Sequence, residues 1–112
     1  MKILPHLILL AATLLSVSCA TVDVTKTAKG YHAPTNPNNV EILMTVPTRP
    51  FIELGTVTVT NVPVRNEAKM HNAIRAKAAP LGANAVVIQS QGIIPALGGG
   101  TRWATGAALR YQ

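Results

Sequence analysis

Cysteine, acidic and aromatic side chains are all scarce in this sequence of 112 residues. A single cysteine, Cys19, excludes any disulfide within the chain. The four acidic residues, Asp23, Glu41, Glu53 and Glu67, are scattered, so the sequence offers no pair of carboxylates for acid–base chemistry. Histidine occurs only at positions 6, 32 and 71, and His71 has no Cys, His or Asp at ligand spacing. No local metal site is expected from such a set. The glycine run Gly98–Gly100 is followed by Thr101 rather than lysine and opens no helix, so it reads as a hairpin connection and not a phosphate loop. No cofactor is expected, and the chain reads as non-enzymatic. The longest apolar stretch, from Ile3 to Leu15, falls short of the roughly 20 residues that a bilayer core requires.

What is present at the N-terminus reads as an export signal. Met1 and Lys2 supply a short positive start, and Ile3 to Leu15 is apolar apart from Pro5, His6 and Thr13. Ser16, Val17, Ser18, Cys19 and Ala20 then turn small and polar, in the order of a secretory leader. The segment from Leu15 to Cys19 resembles a bacterial lipobox, with a small residue before the cysteine and Ser16 where leucine is usual. That resemblance implies removal of residues 1–18, diacylglyceryl attachment to Cys19 and N-acylation. One acyl chain holds a protein only marginally, whereas several hold it for good. Ala20, where an inner-membrane retention signal carries aspartate, implies the outer membrane, facing the periplasm. The alternative is ordinary cleavage after Ala20, since Ser18 and Ala20 also satisfy a small-x-small rule; it yields a soluble periplasmic domain that binds an anionic envelope ligand or polymer.

Residues 19–39 read as the lipidated cysteine and a flexible tether. They contain Gly30, Pro34, Pro37 and three asparagines without a sustained apolar period. Residues 40–112 read as one small α+β domain with a four-stranded antiparallel or mixed sheet in the order β-β-α-β-β and one helix on a face. Val40, Ile42, Met44 and Val46 alternate as in a strand. A second strand runs from Phe51 to Thr60, and its apolar parity changes at Gly55, which fits either a bulge or a strand buried partly on both faces. Asn66 is an expected N-cap, with Met70, Ala73, Ile74, Ala78 and Leu81 at helical spacing. Pro80 predicts a loosened last turn near Ala79, and Gly82 a left-handed cap. Ala85 to Gln89 reads as a central strand, Gly92 to Gly100 as a flexible loop, and Trp103 to Tyr111 as a last strand.

The run Leu81, Gly82, Ala83, Asn84, Ala85, Val86, Val87 follows a helix ending in Ala78 and Ala79. Upstream stand a Pro-x-x-Pro link, Pro47 to Pro50, and a strand Glu53 to Val57 of the form x-Leu-Gly-x-Val. Over residues 40–90 this pattern resembles small envelope lipoproteins related to the Rcs stress sensor and the YbjQ-like heavy-metal-binding domains. The resemblance implies a fold and not an activity. The sensor's disulfides have no counterpart, because no cysteine follows Cys19. YbjQ-like domains form rings, which makes a homo-oligomer an expectation to test.

Beyond Cys19 nine basic residues face the four acidic ones. Arg65, Lys69, Arg75, Lys77, Arg102 and Arg110 are the candidate surface for an anionic ligand. In an exported protein the partners to expect are the bilayer itself through Cys19, an envelope protein, lipopolysaccharide or peptidoglycan, and not nucleic acid. Trp103 and Tyr111 share a strand parity with Leu109 and read as core residues, with a stacking platform beside Arg102 and Arg110 as the other reading.

Overall fold

The structure, a computed structural model, describes residues 20–112. Cys19 and the leader lie outside the described residues. Five strands form one mixed sheet: β1 (Thr21–Lys26), β2 (Glu41–Leu43), β3 (Phe51–Pro63), β4 (Ala85–Ile94) and β5 (Thr101–Tyr111), in the spatial order β1-β3-β5-β4-β2. One helix, α1 (Glu67–Ala78), connects β3 to β4. Strands β3 and β4 are each antiparallel to β5, which lies between them, so β3-α1-β4 is a split β-α-β crossover. β2 pairs parallel with the far side of β4.

The helix forms where the sequence places it. The Asn66 side chain accepts from the backbone N–H of Lys69 at 3.1 Å, and Glu67 sits in the first turn, where its charge suits the helix dipole. Met70, Ile74 and Ala78 are buried on one stripe. Pro80 cannot donate to a further α-turn, and the chain tightens into a 3-10 turn over Ala79–Leu81. Gly82 then takes φ 93°, the left-handed cap.

That stripe packs on Leu54, Val57, Val59, Val62, Val86, Ile88, Ala104 and Ala108, with Ile52 at its margin. The bulge at Gly55 is present: the β3–β5 register shifts between Glu53 and Gly55, so Ile52 and Leu54 turn to the same face as Val57 and Val59. A second cluster, Val87, Ala107 and Leu109 with Leu43 and Phe51, occupies the opposite face.

Three expectations change. Within the expected tether, the described residues 20–39 are not free. Thr21–Lys26 form an edge strand against β3, running from Thr21 opposite Thr60 to Lys26 opposite Gly55. Beyond it, Thr27 and Ala28 donate to the Leu54 carbonyl, and the Thr35 N–H donates to the Ala79 carbonyl at 2.9 Å. Two valines alternating with polar residues are a weak signal alone; the open edge of β3 supplies the missing hydrogen bonds. The sheet therefore has five strands, not four.

The strand expected over Val40–Val46 pairs only through Glu41–Leu43, because the chain then has to cross β4 and β5 to reach β3. Met44 and Val46 are left exposed.

The third change concerns β5. Its small parity, Ala104, Gly106 and Ala108, faces the helix side, and Trp103, Thr105, Ala107, Leu109 and Tyr111 face away. Close packing explains the choice: a Cβ on Gly106 would stand 2.7 Å from Val86 Cγ1 and 2.8 Å from the Val87 carbonyl oxygen.

Candidate functional site

The six basic residues of the expected anionic-ligand surface do not converge. Arg102 and Arg110 are eight positions apart on β5, about 27 Å at strand rise. The Arg102 Nε donates to the Val64 carbonyl, beside the start of α1. The Arg110 Nη1 donates to the Gly82 carbonyl at 2.9 Å, beyond its end. Arg75 spends its Nε on the Val40 carbonyl at 3.0 Å and its Nη1 on the Asn72 side chain at 3.0 Å. Three of the six thus satisfy carbonyls or amides of the fold itself, a role that hydrogen-bonding rules assign and charge counting misses. Arg65, Lys69 and Arg102 gather at the end of the sheet where α1 begins; Arg75, Lys77 and Arg110 belong to the other end.

Trp103 and Tyr111 share one face at the same 27 Å spacing, while Arg102 and Arg110 take the opposite parity, so the four residues do not form a stacking platform. The Trp103 indole lies over Gly92, where a Cβ would stand 2.9 Å from its Nε1. Tyr111 belongs to a separate polar group. Its hydroxyl donates to Glu41 Oε2 at 3.2 Å, and the Arg49 guanidinium lies 3.9 Å from the ring centroid. Burial pushes the Tyr111 hydroxyl above its ordinary pKa, the Glu41 charge and hydrogen bond push the same way, and Arg49 opposes them.

His71 Nε2 is 3.7 Å from Glu67 Oε1, one helical turn back, too long for a hydrogen bond. No group of three His, Cys, Asp or Glu side chains comes together among the described residues. No described helix is long and apolar enough to cross a membrane.

The feature that sequence reading missed is the end of the sheet where the described chain begins. Thr21 opposes Thr60 near the finish of β3, and Pro63 opposes Thr101 at the start of β5. The β4–β5 hairpin closes there over residues 95–100. Ile93 and Ile94 are 49% and 56% exposed, and Leu97 is fully exposed. Gly98, Gly99 and Gly100 all have positive φ. A Cβ on Gly100 would collide with the Ile94 carbonyl oxygen, so the tight return requires glycine. Pro63, Val64, Arg65 and the three glycines line a cavity of about 230 Å³ between this hairpin and the start of α1.

The fold defines the class: a small α+β domain with one helix on a mixed sheet. No family model matches the chain, and no curated protein matches it by sequence. Among solved structures it is similar to the crystal structure of a Francisella virulence factor, FvfA. The two share 14% identity with a TM-score of 0.60, covering 80% of this chain and 97% of the other. At that identity the likeness is one of fold.

Proposed function

We propose that this chain is a bacterial envelope lipoprotein, acylated at Cys19, whose domain serves as a non-enzymatic interaction or sensing module at the outer membrane. The single observation that carries the reading is the leader that ends in the chain's one cysteine, a short apolar run closed by small residues. The position of Ala20 adds support. Ala20 packs against the main core cluster, and β1 begins at the next residue. Cleavage before Cys19 keeps that contact, whereas cleavage after Ala20 discards it. With one residue between Cys19 and β1, the domain sits against the headgroups instead of swinging on a long linker.

Metabolic labelling with radioactive palmitate tests the assignment. The wild-type protein takes up label and Cys19→Ala does not. Label retained in Cys19→Ala, or wild-type protein recovered unlabelled from the soluble periplasm, contradicts it.

A further inference from the structure

Three features meet at one end of this domain. The first is the chain entry: Ala20 leads into β1 at Thr21, and Cys19 is one Cα step, about 3.8 Å, before Ala20. The second is the β4–β5 hairpin, which carries apolar side chains on both of its faces and at its turn. Ile94 stands opposite Thr101 on one face, Ile93 opposite Arg102 on the other, and Leu97 projects from the turn wholly exposed. A soluble hairpin tip normally carries polar turn residues at such positions. The third is charge: Arg65, Lys69 and Arg102 lie at this end against Glu67 alone on the first turn of α1.

We infer that the β4–β5 hairpin tip is a second membrane contact, with Ile94 and Leu97 entering the acyl boundary of an anionic phospholipid bilayer beside the anchored N-terminus. The inference rests on the reading of Cys19 as the acylated first residue. Dimensions fit. Trp103, half-buried over Gly92, lies two ladder positions behind the Ile94–Thr101 pair, about 7 Å along the strand. That places an indole at headgroup level, where tryptophan concentrates, while the tip reaches the 5–10 Å depth of interfacial elements. The basic side chains face the phosphates in this pose. An acyl anchor alone leaves the domain free to tilt about one point. Adding the hairpin fixes two points and sets which way the sheet faces.

The test uses the acylated protein as recovered from the envelope, with Trp103→Phe as background, so that one introduced tryptophan reports. Leu97→Trp lies at the tip. Gln112→Trp lies at the other end of the sheet, where the Gln112 N–H bonds to the Pro50 carbonyl, and serves as control. Both sites are exposed, so neither change burdens the core. The proteins are reconstituted into vesicles of phosphatidylethanolamine and phosphatidylglycerol brominated on the acyl chains. Insertion gives a blue-shifted, bromine-quenched emission at position 97 and an unshifted, unquenched emission at position 112. Equal emission at the two sites from protein whose mass shows the acylated cysteine overturns the hairpin contact and leaves the anchor standing. Protein with an unmodified Cys19 overturns the anchor. The vesicle measurement on that protein still decides the hairpin: quenching at position 97 upholds it and its absence removes it.

Discussion

Substituting Gly55 by alanine tests whether residues 21–26 belong to the sheet. Gly55 sits at the bulge of β3 and opposite Lys26 of β1. An added Cβ would stand 2.5 Å from the Thr25 carbonyl oxygen, 3.1 Å from Lys26 Cα and 3.2 Å from the Thr25 carbonyl carbon. All three are backbone atoms, so no side-chain rotation relieves the contact, and one strand has to move. β3 is held on its other side by β5, whereas β1 is an edge strand whose side chains are mostly exposed. β1 therefore yields. Overpacking of this kind costs about 1–3 kcal/mol. Urea unfolding followed by circular dichroism reads that cost as a lower midpoint. A smaller m-value is expected as well, if the strand is already detached in the folded variant and less surface remains to expose. Amide hydrogen exchange localises the effect: the β1–β3 ladder loses protection, and α1 and the β4–β5 ladder keep theirs. Gly55→Ala with wild-type stability and unchanged exchange over residues 21–26 would refute the edge-strand assignment and restore a free tether.

Other perturbations test other parts of the fold. Ile74 is fully buried between α1 and the sheet, so Ile74→Ala is expected to lower unfolding stability by about 2–5 kcal/mol in the same urea assay. Asn66→Ala removes the cap on the Lys69 N–H and should cost about 1 kcal/mol, with Asn66→Ser restoring most of it. Tyr111, whose hydroxyl pKa is raised in the folded state, contributes stability that is complete below the ordinary tyrosine value and is lost as pH rises through the folded one. Thermal melts should thus fall more steeply above pH 10 in wild type than in Tyr111→Phe, and parallel curves would count against the Glu41 contact.

How far the fold was legible depended on where the determining contact lay. Helix α1 was readable to its ends, because an N-cap, a proline and a left-handed glycine are local devices: Asn66, Pro80 and Gly82 act through their own backbone neighbours. The change of parity from Leu54 to Val57 is local too, but it fitted a bulge and a strand buried on both faces alike, and the register shift in the β3–β5 ladder decides for the bulge. The first strand was not. Val22 and Val24 have few apolar companions, and their pairing with Val59 and Val57 depends on an edge over thirty residues away. Nor was the inward face of β5. Periodicity separated its two faces but did not say which one the helix covers, and the larger side chains suggested the wrong one. Depth at the helix contact decides for Ala104, Gly106 and Ala108, a constraint visible only once α1 lies on the sheet.

The same limit holds for the basic residues. Charge counting grouped Arg75, Arg102 and Arg110 with Arg65, Lys69 and Lys77, but the first three donate to carbonyls at element ends. The hairpin end gave no motif in sequence. Its apolar and glycine content read as a plain connection until Thr21, Thr60, Pro63 and Thr101 placed it beside the chain entry.

The chemical state of the residue ahead of Ala20 decides most directly whether this domain is lipid-anchored. Mass spectrometry of the N-terminal peptide from protein extracted with detergent from the envelope decides it. The expected product begins at Cys19 and carries a diacylglyceryl thioether with an acylated amine. A peptide beginning at Thr21, or an unmodified Cys19 thiol, contradicts the account.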